Sequence, residues 1–331
     1  MRNPRTRSRL AATAGTVALA LGAAACGGDT AATGPGATGA PALSGTIRVD
    51  GSSTVAPLSE AAAELFRQTQ PNVQVTVGTS GTGGGFEKFC NGETDISDAS
   101  RPIKDEEKAA CAAKSITFEE LTVANDALSV VVNKENDWID CITVEQLKKI
   151  WDQGSKVNNW NQVDPAFPDV PLKLFGAGTD SGTFDYFTDE INGDEGRSRT
   201  DYEATEDDNR TVTGVAGDKG GLGYFGFTYY EENAQKLKAL QIDAGKGCVA
   251  PSIATVQAGT YEPLARPLFI YPSAALLARP EGRAFVEFYA KDATRIAEEA
   301  RYVPLTDAER ATLDAKIASL LSKAGTPTPS A

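Results

Sequence analysis

The chain has 331 residues, 32 Lys and Arg against 45 Asp and Glu, a formal net charge of −13 and no histidine. So acidic a balance disfavours nucleic acid and anionic lipid as partners, and the missing histidine removes the commonest general base and metal ligand. With 41% apolar and 23% charged residues, the composition is that of a globular protein long enough for one large or two medium lobes.

Arg2, Arg5, Arg7 and Arg9 precede an Ala/Leu/Val run from Leu10 to Ala25. The run is too short for a permanent membrane span, and its basic flank and small-residue end are those of a secretory leader. Leu21-Gly-Ala-Ala-Ala-Cys26 resembles a bacterial lipobox, with Ala23 where a larger aliphatic is more usual. Residues 1–25 are therefore expected to be a lipoprotein signal peptide, Cys26 the lipidated residue, and the protein an extracytoplasmic one anchored to the membrane. Between Cys26 and Leu43 the chain is Gly, Ala, Thr and Pro with a single charge, Asp29; residues 26–44 have too little apolar surface to offset ordering, and a flexible tether is expected there.

From Gly45 the chain alternates. Thr46–Asp50 reads as a strand through Ile47 and Val49. Gly51-Ser-Ser-Thr54 is a turn, and Pro57 opens a helix carrying Leu58, Ala61, Ala62, Leu65 and Phe66. Val73, Val75 and Val77 form a second strand, broken by Gly78-Thr-Ser-Gly-Thr-Gly-Gly-Gly85 before a helical face begins at Phe86. The same order recurs at Asp95–Ala99, Ser100-Arg101-Pro102 and a helix near Asp105–Ala113, and again at Leu172–Phe175, Gly176–Ser181 and a helix near Gly182–Glu190. Such alternation predicts an α/β fold with mainly parallel sheets. Thr143-Val-Glu-Gln146 has the pattern of a capping box. Ala127–Asn133 is an apolar strand suited to carry the chain from one lobe to the other, and Arg266–Pro272 one suited to bring it back. The expected division is 45–127 plus 266–324 for one lobe and 128–265 for the other. Two late helices, about Pro280–Ala300 and Thr306–Ser322, precede a frayed tail, 325–331.

Beyond Cys26 remain Cys90, Cys111, Cys141 and Cys248. An even count in an exported chain suggests two disulfides with three connectivities open; Cys90–Cys111 with Cys141–Cys248 is favoured because each pair falls inside one lobe. No Cys-x-x-Cys pair occurs, and neither metal nor cofactor is expected.

Four strand-to-helix turns carry hydroxyls and glycines: Ser52-Ser53-Thr54, Thr79-Ser80-Gly81-Thr82-Gly83, Ser100-Arg101, and Thr179-Asp180-Ser181-Gly182-Thr183. Helix starts present unpaired N–H groups, hydroxyls add neutral donors, and glycine permits close approach, so together these turns suit an anion. In open α/β sheets such turns gather at the carboxyl edge of the strands. Each hydroxyl taken alone is more ordinarily a helix cap; the repetition points to a ligand. The glycine run lacks the Gly-Lys-Ser/Thr of a nucleotide loop, and Asp180-Ser181-Gly182 has no histidine to serve as its base. Binding, not turnover, is predicted.

At these segments the chain resembles the periplasmic phosphate-binding (PstS-type) family. The resemblance rests on Asp50-Gly-Ser-Ser-Thr-Val-Ala-Pro57, Gly78-Thr-Ser-Gly-Thr-Gly83, Asp95-Ile-Ser-Asp-Ala-Ser-Arg-Pro102, Gly178-Thr-Asp-Ser-Gly-Thr-Phe184, Gly221-Leu-Gly-Tyr-Phe-Gly226 and Tyr302-Val-Pro-Leu305, in order over Thr46 to Leu321. It implies two α/β lobes joined by a two-strand hinge that close over a dehydrated phosphate and present it to the permease of an ABC importer, the protein acting as a monomer. Carried over position by position, it implies phosphate contacts from Ser53, Thr54, the Val55 amide, Ser80, Ser100, Arg101, Ser181, the Gly182 amide and Thr183. The chain departs from the best-known members twice: Ser100 stands where they have an aspartate that accepts the phosphate proton, and Ala177 where they have an arginine. Arg101 is the expected replacement cation, and Asp180, with Asp207 and Asp208 behind it, the expected proton acceptor or partner of Arg101. The rival readings are a binder of sulfate, molybdate or arsenate, an exported phosphatase or esterase, and an adhesive surface lipoprotein.

Overall fold

The computed structural model describes residues 43–323. The expected leader, Cys26, most of the tether and the tail 325–331 lie outside the described residues. Among those described, nine strands form one sheet in the order Val73–Gly78, Gly45–Gly51, Ile96–Ala99, Ala265–Pro272, Leu121–Asn133, Gly221–Gly226, Lys173–Ala177, Glu203–Thr205, with Leu237–Ala239 also paired to Leu121–Asn133. Both wings are parallel: Gly45–Gly51 runs with Val73–Gly78 and Ile96–Ala99, and Lys173–Ala177 with Glu203–Thr205 and Gly221–Gly226. The antiparallel pairs of this sheet are those made by Leu121–Asn133 and Ala265–Pro272.

These two strands are the hinge. They pair with each other from Leu121↔Ile270 to Ala127↔Ala265, after which Leu128–Val132 turns to Gly221–Gly226. One uninterrupted, almost wholly buried strand thus serves two wings. On one side lies a core of Ile47, Leu58, Phe66, Phe285 and Ile296; on the other, one of Leu128, Trp151, Trp160, Phe187 and Tyr224. Helices alternate with parallel strands because a parallel crossover needs a covering element; the hinge strand Leu121–Asn133 is buried along almost its whole length, whereas the outer strands Gly45–Gly51 and Val73–Gly78 alternate apolar with polar residues and are buried on one face. The architecture is the expected two-lobe α/β fold with a two-strand hinge.

Both disulfides form as favoured, Cys90–Cys111 and Cys141–Cys248. The first joins the helices Gly81–Cys90 and Asp105–Ala113, the second two strands of a separate three-stranded sheet. Thr143 accepts from the Gln146 N–H at 3.0 Å and its own N–H donates to Gln146 Oε1 at 3.0 Å, completing the capping box before Val144–Trp151.

Three elements differ from expectation. The glycine run is helical: the helix starts at Gly81, five residues before Phe86. Consecutive glycines weaken a helix by about 1 kcal/mol each, but at Gly85 a Cβ would lie 2.5 Å from the Gly51 Cα and 3.0 Å from the Asp50 carbonyl. Glycine there lets the helix lie on the first strand. Pro280–Ala300 is two helices, Pro280–Lys291 and Ala293–Glu299, because Asp292 leaves helical geometry (φ −97°, ψ 13°) and serves as the end of one and the start of the other, a position aspartate prefers over a helix interior. Gly182–Glu190 is α-helical only to Phe187 and continues as a π-type turn, Thr188–Asn192, that ends on Gly193 at φ 84°.

Candidate functional site

The first turn leaves the sheet at Gly51, whose φ of 151° no side chain would tolerate over the Asp98 backbone. The Ser52 N–H donates to the Asp98 carbonyl at 2.9 Å and the Val55 N–H to the Ser52 carbonyl at 3.1 Å, while the Thr54 N–H donates to Ser52 Oγ at 3.2 Å. Ser52 therefore organises the turn from within, and Ser53 and Thr54 face outward. Tyr302 steadies it from the far end of the chain, donating to the Thr54 carbonyl at 2.7 Å.

The second and third turns are stitched together. The Ser100 N–H donates to Thr82 Oγ1 at 3.2 Å, and the two hydroxyls lie 3.1 Å apart. The Ser80 hydroxyl donates to Asp50, which also pairs with Lys88 at 2.8 Å. Burial opposes ionisation of Asp50, but Lys88 and Ser80 outweigh it and hold the carboxyl below its ordinary range. Arg101 is committed elsewhere: it donates through Nη1 and Nη2 to Glu107 at 2.9 and 2.8 Å and through Nη1 to the Pro102 carbonyl at 3.1 Å. This bidentate pair raises the guanidinium pKa further and, against the pull of burial, keeps Glu107 ionised.

Across the cleft, Ser181 accepts from the Thr183 N–H at 3.2 Å and starts the helix Gly182–Phe187. An aromatic cluster holds this helix: Phe187 stacks on Tyr224 at 3.8 Å, and Trp151 meets both edge-on. The two lobes touch at Gly182. Thr54 Oγ1 donates to the Gly182 carbonyl at 3.4 Å, and a Cβ at Gly182 would stand 2.5 Å from Thr54 Oγ1, 2.8 Å from the Thr54 nitrogen and 2.9 Å from Ser53 Oγ. Beside this contact Ser53 donates to Asp185 Oδ2 at 3.5 Å. Burial, with Glu195 nearby, pushes the Asp185 carboxyl up to about 6.

Ser53, Thr54, Ser80, Ser100 and Arg101 line one cavity of about 550 Å³ between the lobes, closed on the far side by Asp185 and Tyr186. Gly182 stands against Thr54 at its edge, with Ser181 next to it in the chain. Thr183 instead lines a neighbouring cavity of about 260 Å³ with Asp126 and Asp208. Asp208 is pushed up to about 6 by burial and by Asp207 and Glu206. Asp207 caps the next helix through the Asn209 N–H at 3.0 Å, and Asp180 is exposed. The three aspartates expected near the anion are thus not on the wall of the larger cavity.

Two residues on that wall escaped sequence reasoning. Arg266, on the hinge strand, donates to Thr54 Oγ1 at 3.0 Å and stacks over the Tyr186 ring at 3.5 Å. Its signal was an arginine in an otherwise apolar strand, read as the strand's boundary. Asp185 is the acidic residue in the first turn of Gly182–Phe187 and carries no other mark in the sequence.

The sequence matches the model of the PBP superfamily domain over residues 36–293. It is 52% identical over 262 residues to Protein SphX of Synechococcus elongatus, covering 78% of this chain and 77% of that one. It is 40% identical over 282 residues to the phosphate-binding protein PstS of Staphylococcus saprophyticus, covering 84% and 86%. A crystal structure described as a possible phosphate binding protein from Planctomyces limnophilus superposes with a TM-score of 0.80 at 48% identity, over 84% of this chain and 99% of that one. The chain belongs to the PBP superfamily and, within it, to the PstS-type family, whose members are substrate-binding proteins and not enzymes.

Proposed function

We propose that the protein captures inorganic phosphate between its lobes and hands it to the membrane permease of an ABC importer. The observation that carries this reading is the meeting of hydroxyl-bearing turns from both wings: Ser53 and Thr54 from one abut Gly182 from the other, with Ser80 and Ser100 on the same cavity. Donors that add no charge suit an anion in an acidic chain, and the name of the Staphylococcus saprophyticus relative supports phosphate as that anion. The proposed contacts are Ser53, Thr54, Ser80, Ser100, Ser181 and the Gly182 amide; of the other expected contacts, the Val55 amide donates to Ser52, Arg101 is turned to Glu107 and Thr183 lines the neighbouring cavity. The moving bodies are 45–127 with 266–324 and 128–265. A ligand bridging both favours the closed state by its differential affinity for it. The protein acts as a monomer, held outside the cytoplasmic membrane by lipid on Cys26 and the tether that follows. Titration calorimetry with phosphate, sulfate, molybdate and arsenate tests the assignment. One phosphate per chain with sulfate much weaker is expected; sulfate binding tighter than phosphate rejects it.

Asp185 supports phosphate over sulfate. An ionised carboxylate on the cavity wall can accept a hydrogen bond from a protonated anion, whereas a proton-free sulfate would face it as a second negative charge. The carboxyl titrates at about 6, so it accepts above that pH and loses its proton-accepting form as pH falls through it. Discrimination against sulfate is therefore expected to be larger at pH 8 than at pH 5, and Asp185→Asn is expected to flatten the dependence. Competition titrations at the two pH values check this; an unchanged phosphate-to-sulfate ratio in wild type removes Asp185 from the role.

A further inference from the structure

The cation expected to meet the anion, Arg101, is held by Glu107 in a two-point pair that consumes its charge and much of its fork. Arg266 is placed differently. It stands directly across from Asp126 in the hinge ladder, and Asp126 Oδ2 accepts from its Nε at 3.4 Å. Nη2 reaches Thr54 Oγ1 of one lobe, and the guanidinium plane lies on the Tyr186 ring of the other. Its side chain is 17% exposed and lines the cavity. A guanidinium carries five N–H donors; two are used in these bonds, and the other three make no hydrogen bond among the described residues. Thr54 Oγ1 in turn donates to the Gly182 carbonyl, so a hydrogen-bond chain runs from Arg266 on the hinge through Thr54 to the lobe contact at Gly182.

Resting on the phosphate reading above, we infer that Arg266 is the principal cation of the anion site, and that its seat on the hinge, touching both lobes, makes it the group through which ligand charge drives closure. Asp126 is its counter-charge across the hinge ladder. Burial pushes its carboxyl up despite Arg266, so Asp126 is a weak competitor for the fork. An incoming oxyanion takes over the spare N–H groups while the stacking on Tyr186 fixes their plane, a geometry that Arg supplies and Lys does not.

Calorimetry with inorganic phosphate on Arg266→Gln, Arg266→Lys, Arg266→Gln/Asp126→Asn and Arg101→Gln tests the assignment, with small-angle scattering with and without phosphate as the readout of closure. The double variant removes both hinge charges together and so avoids a buried aspartate left alone, which is the risk for folding in the single one. The expected result is a loss of at least about thirtyfold in the double variant, partial recovery in Arg266→Lys, a smaller loss in Arg101→Gln, and no phosphate-induced compaction in the double variant. A purely structural role would not give the partial recovery by lysine. Near wild-type affinity in the double variant, or a larger loss in Arg101→Gln than in Arg266→Gln, overturns the inference. Wild-type protein that gives no heat with phosphate overturns the functional reading itself, which keeps the two failures distinct.

Discussion

Gly182→Ala is expected to weaken phosphate binding by roughly tenfold to a hundredfold while leaving the ligand-free protein folded. The added methyl carbon would lie 2.5 Å from Thr54 Oγ1 and 2.8 Å from the Thr54 backbone nitrogen. A side chain could rotate away, but the nitrogen is fixed: its N–H is bonded to Ser52, and the carbonyl of the same residue is held by Tyr302. The strain is relieved only by separating the lobes, and overpacking of this kind costs about 1–3 kcal/mol. Because the clash exists only when the lobes meet, it acts on the closed state and not on either core. Calorimetry gives the affinity and small-angle scattering the closure. Wild-type affinity in the variant would mean that Gly182 and Thr54 do not approach each other in the bound form.

The second large effect is on stability. Cys141 and Cys248 are 107 residues apart in sequence, against 21 for Cys90 and Cys111. Cross-linking restricts the unfolded chain more as the closed loop lengthens, by about 5 kcal/mol for the longer loop and about 3 kcal/mol for the shorter. Cys141→Ser/Cys248→Ser should therefore lower the unfolding free energy more than Cys90→Ser/Cys111→Ser. The longer bridge ties Cys141–Thr143 and Cys248–Val249, strands that flank Gln241–Asp243 in a small separate sheet whose Ile142 and Ile242 are buried in the lobe's core. Urea titrations of the two double variants measure the order; equal losses would show that loop length does not govern either bridge.

Much of the fold is legible in the sequence because its signals are local. Ile47 and Val49 alternate at strand period, Pro57 opens a helix whose Leu58, Ala62, Leu65 and Phe66 share a buried face, and Thr143 with Gln146 forms the capping box of Val144–Trp151. The hinge strands were readable for the same reason, as apolar runs long enough to cross between lobes. What was not legible depends on partners distant in sequence. The helix beginning at Gly81 exists because Gly85 meets Gly51, a contact that glycine's low helix propensity conceals. The π-type turn at Thr188–Asn192 and the break at Asp292 are single-residue adjustments inside otherwise periodic segments.

The site divides in the same way. The turns at Ser53, Ser80, Ser100 and Ser181 announce themselves by composition; parallel pairing brings the first three to one edge, and the three antiparallel pairings through the hinge reverse the second wing, so that its strand end, with Ser181, faces them. The charges do not. Arg101 and Glu107 are six residues apart, a spacing that no helical rule pairs, so the neutralisation of Arg101 appears only in three dimensions. Arg266 lies 212 residues from Thr54 and reaches it because the hinge ladder runs beneath the first turn. Asp185 becomes a candidate acceptor only through its nearness to Ser53, 132 residues away. Neutral donors are thus written in local sequence, while the charges that decide affinity and selectivity are set by the fold.

The central claim is that both lobes grip a single phosphate at the meeting point of these turns. A crystal structure of the protein grown with phosphate tests it most directly. The account predicts one tetrahedral density bounded by the hydroxyls of Thr54, Ser80 and Ser181, with the Arg266 fork within hydrogen-bonding distance. Phosphate bound on one lobe alone, or seated away from these four residues, would contradict it.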